Sequence, residues 1–81
     1  LVMRIGFANI RRGFSNKGDL IEATLIENGF QILVLCEIDL LENDHPPSIS
    51  GFHCILSKRA PHRVAVYLKD DIHFEILNHA G

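Results

Sequence analysis

The chain has 81 residues, ten Asp and Glu against eight Lys and Arg, and a formal net charge of −2, which is room for one domain at most. Hydrophobic residues at 47% and charged residues at 22% form a globular balance and argue against a disordered segment. Two cysteines, Cys36 and Cys54, are too few for a disulfide scaffold and form no C-x-x-C zinc pair. The longest purely apolar run, Ile32 to Cys36, is five residues, far short of the ~20 that a membrane span needs. Leu1-Val2-Met3-Arg4 has no signal-peptide layout, so an intracellular or nuclear protein with no membrane partner is expected.

Met3 to Asn9 alternates, with Met3, Ile5 and Phe7 on one face, and reads as a strand. Arg11 to Lys17 holds Gly13, Ser15 and Asn16, a loop ending in a helix-capping residue. From Asp19 to Asn28, Ile21 and Leu25 stand four apart beside Leu20 and Ile26, and Gly29 follows where a helix stops. Gln31 to Cys36 is apolar without alternation, the pattern of a strand covered on both faces in a parallel sheet. Strand, helix and strand in about 35 residues make a βαβ unit with a right-handed crossover.

Glu42 to Ser50, with Pro46-Pro47, is a loop. Phe52–Ser57 and Arg63–Lys69 read as strands joined by a short link containing Pro61, and Asp70-Asp71 turns the chain into a further strand, Ile72–Leu77. Short links between apolar runs imply antiparallel neighbours. The fold class is therefore α/β with a mixed sheet.

Charge is segmented along the chain. Residues 1–17 hold four cations and no acid, residues 18–57 seven acids and no Lys or Arg, and residues 58–69 four cations again: Lys58, Arg59, Arg63 and Lys69. The net balance is not that of a polyanion-binding protein, although the two basic stretches could converge on one face. Solvated surface charge is the plainer reading.

Two polar residues stand where the strand pattern alone would not put them. Asn9 ends the first strand, and Glu37 directly follows the most apolar one. If those strands are parallel neighbours, both residues reach the carboxyl edge of the sheet, where ligands bind in open α/β folds. A carboxylate there can hold a hard cation such as Mg²⁺, and an amide can orient a phosphate oxygen or the carboxylate. The plainer alternative is a turn-capping Asn9 and a solvated Glu37. The five histidines show no H-x-H or H-x-x-x-H spacing, and Cys36 reads as a small core residue.

Arg4-Ile5-Gly6-Phe7-Ala8-Asn9-Ile10-Arg11 resembles the opening strand of the endonuclease/exonuclease/phosphatase (deoxyribonuclease-I-like) superfamily, which ends in Asn. Phe30 to Glu37 is similar to that family's second motif, a hydrophobic strand ending in the metal-binding Glu. Gly51-Phe52 resembles its "GY", and Val64 to Lys69 its "GVAIYVK" strand, a wording frequent in endonucleases of non-LTR retrotransposons. The four motifs stand in family order over residues 3–77. Arg63 departs from the Gly that usually precedes the last of them, and Cys36 from the commoner Gln.

The resemblance implies the N-terminal part of a four-layered α/β sandwich and Mg²⁺- or Mn²⁺-dependent cleavage of phosphodiester or phosphomonoester bonds. By the same resemblance, Glu37 ligates the metal and Asn9 positions the phosphate or the metal's ligand shell, with DNA as substrate of the complete domain. The family's D-x-N and S-D-H motifs, which carry the His–Asp pair, are not among these 81 residues. The fragment is therefore expected to bind metal weakly, to be inactive alone, and to self-associate through an uncovered sheet face. The alternatives are a non-catalytic α/β remnant and a family member that hydrolyses a small phosphoester, such as an inositol phosphate or a sphingolipid.

Overall fold

The computed structural model describes residues 3–11, 13–59 and 61–72. Strand β1 (Ile5–Asn9) leads through a one-turn 3-10 helix (Phe14–Asn16) to helix α1 (Gly18–Asn28). Strands β2 (Ile32–Leu40), β3 (Phe52–Leu56) and β4 (His62–Lys69) follow. The sheet order is β1-β2-β4-β3. β1 lies parallel to β2, and β4 lies antiparallel to both β2 and β3. The expected α/β class and mixed sheet are present in this piece. The further strand expected at Ile72–Leu77 lies almost wholly outside the described residues.

α1 begins one residue earlier than its periodicity indicates. Its N-cap is Lys17, which makes no side-chain cap, so the capping role expected within the Arg11–Lys17 loop is not filled by Asn16. Asn16 belongs instead to the 3-10 turn, and the Lys17 ammonium donates to the Ile10 carbonyl at 3.0 Å. The stop at Gly29 is as the sequence indicates. Gly29 adopts φ 63°, its N–H donates to Ile26 O and the Phe30 N–H to Leu25 O, the Schellman closure that a left-handed glycine permits.

Among the described residues, α1, the 3-10 turn and the loop before β3 cover one face of the sheet. Leu33 and Leu35 of β2 and Ala65 and Tyr67 of β4 are buried there with Ile21 and Leu25 of α1, Phe14 and Ile49. Gly6 shares that face, and a Cβ on it would stand 2.5 Å from the Phe30 ring; the strand can sit this close only because it lacks a side chain. Tyr67 fastens the loop before β3: its hydroxyl donates to the Pro47 carbonyl at 2.6 Å, and its ring meets Phe14 edge-on at 6.4 Å between centroids. The opposite face carries the registered rows Ile5–Ile32–Leu68 and Phe7–Val34–Val66–Ile55. There Ile5 is 48% and Phe7 76% exposed. The described residues thus cover β2 on the face that α1 packs against and leave the other face, expected to be uncovered in this chain, open at the β1 edge.

Candidate functional site

The parallel pairing of β1 with β2 sets Asn9 opposite Cys36, and the Ile10 N–H donates to the Cys36 carbonyl at 3.1 Å. Asn9 and Glu37 thus reach one edge of the sheet, the carboxyl edge of both strands. Both are exposed, and no hydrogen bond joins them. Asn9 and Cys36, with Phe7 and Ala8, line a shallow depression of about 290 Å³ on the open face.

Glu37 does not end its strand, as the sequence suggests; β2 runs on to Leu40. Its ladder with β4 is broken just there. Cys36 pairs with Val64 and Leu40 with His62, so four steps along β2 answer two along β4. The reason lies in side-chain parity. Leu33 and Leu35 point into the core, and unbroken alternation would send position 37 after them. A carboxylate there would be desolvated without a partner. The bulge reverses the alternation: Ile38 and Leu40 become the buried residues, while Glu37 and Asp39 face solvent.

The reversal leaves Glu37 at φ 56° and Asp39 at φ 47°, and Arg11, just beyond β1, at φ 68°. Left-handed backbone at a non-glycine residue costs on the order of 1–2 kcal/mol. All three left-handed side chains are charged and stand at the same sheet edge. Asp39 is the residue that reading by motif misses. The signal for it is the shift of apolar positions from 33 and 35 to 38 and 40. With Asn16 and Asp44 it lines a cleft of about 340 Å³ beside the 3-10 turn.

The chemistry of this edge fits part of a hard-cation site. Glu37 supplies a carboxylate and Asn9 a neutral oxygen, the donor types Mg²⁺ takes alongside retained waters and substrate phosphate. Among the described residues, no group of three or more His, Cys, Asp or Glu side chains could hold a metal.

Two histidines are occupied elsewhere. The His62 ring bonds the Ser57 carbonyl, so this residue starts β4 rather than lying in the loop. His53 pairs with Asp70. That His–Asp pair is remote from Glu37: His53 is registered with Leu68, and Leu68 with Ile32, four residues or ~13 Å along the strands from the Asn9–Cys36 level. His73 and His79 lie outside the described residues.

Both cysteines are free and half-buried. Burial pushes the Cys54 thiol up, an effect partly offset by a hydrogen bond with Tyr67. No described helix is long and apolar enough to cross a membrane. Comparison with protein families, with curated proteins and with solved structures gives no match to this chain.

Proposed function

We propose that this chain is the N-terminal part of a metal-dependent phosphodiesterase domain of the endonuclease/exonuclease/phosphatase kind, folded in full as a four-layered sandwich and nicking DNA as retrotransposon endonucleases do. The observation that carries the reading is the placing of Glu37. The strand bulges and accepts left-handed backbone at Glu37, and again at Asp39, turning the Glu37 carboxylate out at the sheet edge that also carries Asn9. When bound, Mg²⁺ or Mn²⁺ neutralises charge developing on the phosphate and the leaving oxygen. Glu37 holds that ion from the protein side, and the Asn9 amide orients the phosphate or the carboxylate. An intracellular or nuclear setting goes with this reading.

A fragment inactive alone goes with this reading because the D-x-N and S-D-H motifs are not among these 81 residues; the second reading is a non-catalytic α/β remnant. A small phosphoester is the other substrate class open to the site. The test is nicking of supercoiled plasmid with Mg²⁺ or Mn²⁺. The 81-residue chain is expected to give no measurable nicking. In a longer chain that supplies a His–Asp base, Glu37→Gln should abolish cleavage and Asn9→Ala should lower turnover with little change in melting temperature. Nicking by the 81 residues that disappears with Glu37→Gln would show a complete site and overturn the fragment reading. Full activity of Glu37→Gln in the longer chain would remove Glu37 from the chemistry.

A further inference from the structure

Parts of two basic stretches that are far apart in sequence, Arg11 from one and Lys58, Arg59 and Arg63 from the other, stand at the candidate edge. β4 enters antiparallel to β2, so its first residues, His62 to Val64, lie beside the Cys36–Leu40 bulge. Arg63 falls opposite that bulge. The β3–β4 turn, carrying Lys58 and Arg59, projects from the same end of the sheet, and Arg11 follows β1 there. These four cations are exposed and none is within ion-pair distance of an acid among the described residues, where the ion pairs are His53–Asp70 and Lys69–Asp71. At the opposite end of the sheet the cations are used internally: Lys69 pairs with Asp71, and the Arg4 guanidinium donates to the Asn28 carbonyl. Glu37 and Asp39 offset part of the charge at the candidate edge, but the hairpin itself carries none, because no acid stands between Asp44 and Asp70.

The hairpin is also held in shape from within. The Ser57 hydroxyl accepts from the N–H groups of both Arg63, at 3.1 Å, and Val64, at 3.3 Å. The Ser57 N–H donates to the Val64 carbonyl at 2.9 Å, and the His62 ring bonds the Ser57 carbonyl.

We propose that the β3–β4 hairpin, through Lys58, Arg59 and Arg63, is a contact surface for the phosphate backbone of a nucleic acid, with Arg11 extending it along the sheet edge. From Arg11 to the hairpin is two to three strand spacings, ~10–14 Å, which matches three or four phosphates of one DNA strand at ~3.4 Å each. Phosphate contacts of this kind position a duplex without reading its sequence. The inference rests on the nucleic-acid half of the proposed function and is independent of its metal half.

The test is fluorescence anisotropy of a fluorescein-labelled 20-base-pair duplex with the 81-residue chain in EDTA, over a range of salt concentrations. The chain should bind with a slope of log K against log salt near −3. Lys58→Ala/Arg59→Ala should weaken binding on the order of 10- to 100-fold at low salt and flatten the slope by about 2. Arg4→Ala/Lys69→Ala removes the same charge from the other end and should change affinity by about twofold or less; circular dichroism melts establish that both double variants fold. Equal losses from the two pairs, or an unaltered slope in the hairpin pair, would overturn the proposal. So would displacement of the duplex by polyglutamate or by phosphatidylserine vesicles with the same sensitivity to Lys58→Ala/Arg59→Ala. Because EDTA removes any metal, the hairpin variants report on this surface alone, which separates its failure from failure of the metal reading.

Discussion

The two faces of the sheet carry equally apolar residues and have unequal fates. On one, Leu33, Leu35, Ala65 and Tyr67 are sealed under α1 and the Pro46-Pro47 loop. On the other, Ile5, Phe7 and Val34 stand in registered rows beneath nothing that the described residues supply. The chain's own cohesion lies on the first face. The second leaves apolar side chains in water, and a sheet apolar on both sides gains stability when a further layer covers it.

The largest consequence is for mass. The 81-residue chain should self-associate, with a sedimentation velocity distribution that shifts to larger species as concentration rises from micromolar upward. Ile5→Thr/Phe7→Ser should shift it back toward monomer. A parent chain that sediments as one monomeric species at all concentrations would show that the open face needs no cover.

The next contrast is between neighbours on β2. Leu35→Ala, on the sealed face, should cost about 2–5 kcal/mol in urea denaturation. Val34→Ala, on the open face, should cost about 1 kcal/mol or less. For a chain whose whole stability is on the order of 4–12 kcal/mol, the first change alone approaches unfolding. Equal costs would mean that the two faces are packed alike.

A smaller effect sharpens what holds the loop on the sealed face. Tyr67→Phe removes the donor to Pro47 and should cost about 1–2 kcal/mol. Burial, with a smaller contribution from Cys54, pushes the Tyr67 hydroxyl well above the ordinary value of 10. The folded state therefore holds its proton when the unfolded chain has begun to lose it. The stabilisation is whole below pH 10 and is lost as pH rises beyond it. The difference in unfolding free energy between Tyr67→Phe and the parent should be flat from pH 6 to 9 and shrink above 10. A difference that already shrinks across pH 6 to 9 would place another titrating group at the Tyr67–Pro47 bond.

Much of this fold is legible in the order of the residues. The alternation of Met3, Ile5 and Phe7, the Ile21–Leu25 stripe closed by Gly29, and the apolar run from Ile32 define the βαβ unit, and Pro61 marks the hairpin. Asn9 and Glu37 follow from it, since parallel strands must deliver their ends to one edge. What motif reading did not give is how Glu37 is turned outward. A strand that seems to end at Cys36 continues through a bulge, because burying Ile38 and Leu40 is worth more than keeping the ladder regular. Nor does the sequence show that Arg11 and the cations of the β3–β4 hairpin share one end of the sheet, which depends on β4 entering beside the β2 bulge. A long apolar run cannot reveal which of its faces lacks a cover, because both faces look the same until the helix is placed.

The proposed function puts a metal ion at the edge bearing Asn9 and Glu37. Titration of Mn²⁺ into the 81-residue chain, followed by loss of the free-ion electron paramagnetic resonance signal, tests it most directly, in any state of association. The parent chain should bind Mn²⁺ at millimolar levels, Asp44→Asn should bind it equally well, and Glu37→Gln should not bind it measurably. Mn²⁺ binding that survives Glu37→Gln unchanged would contradict the assignment of Glu37 to the metal.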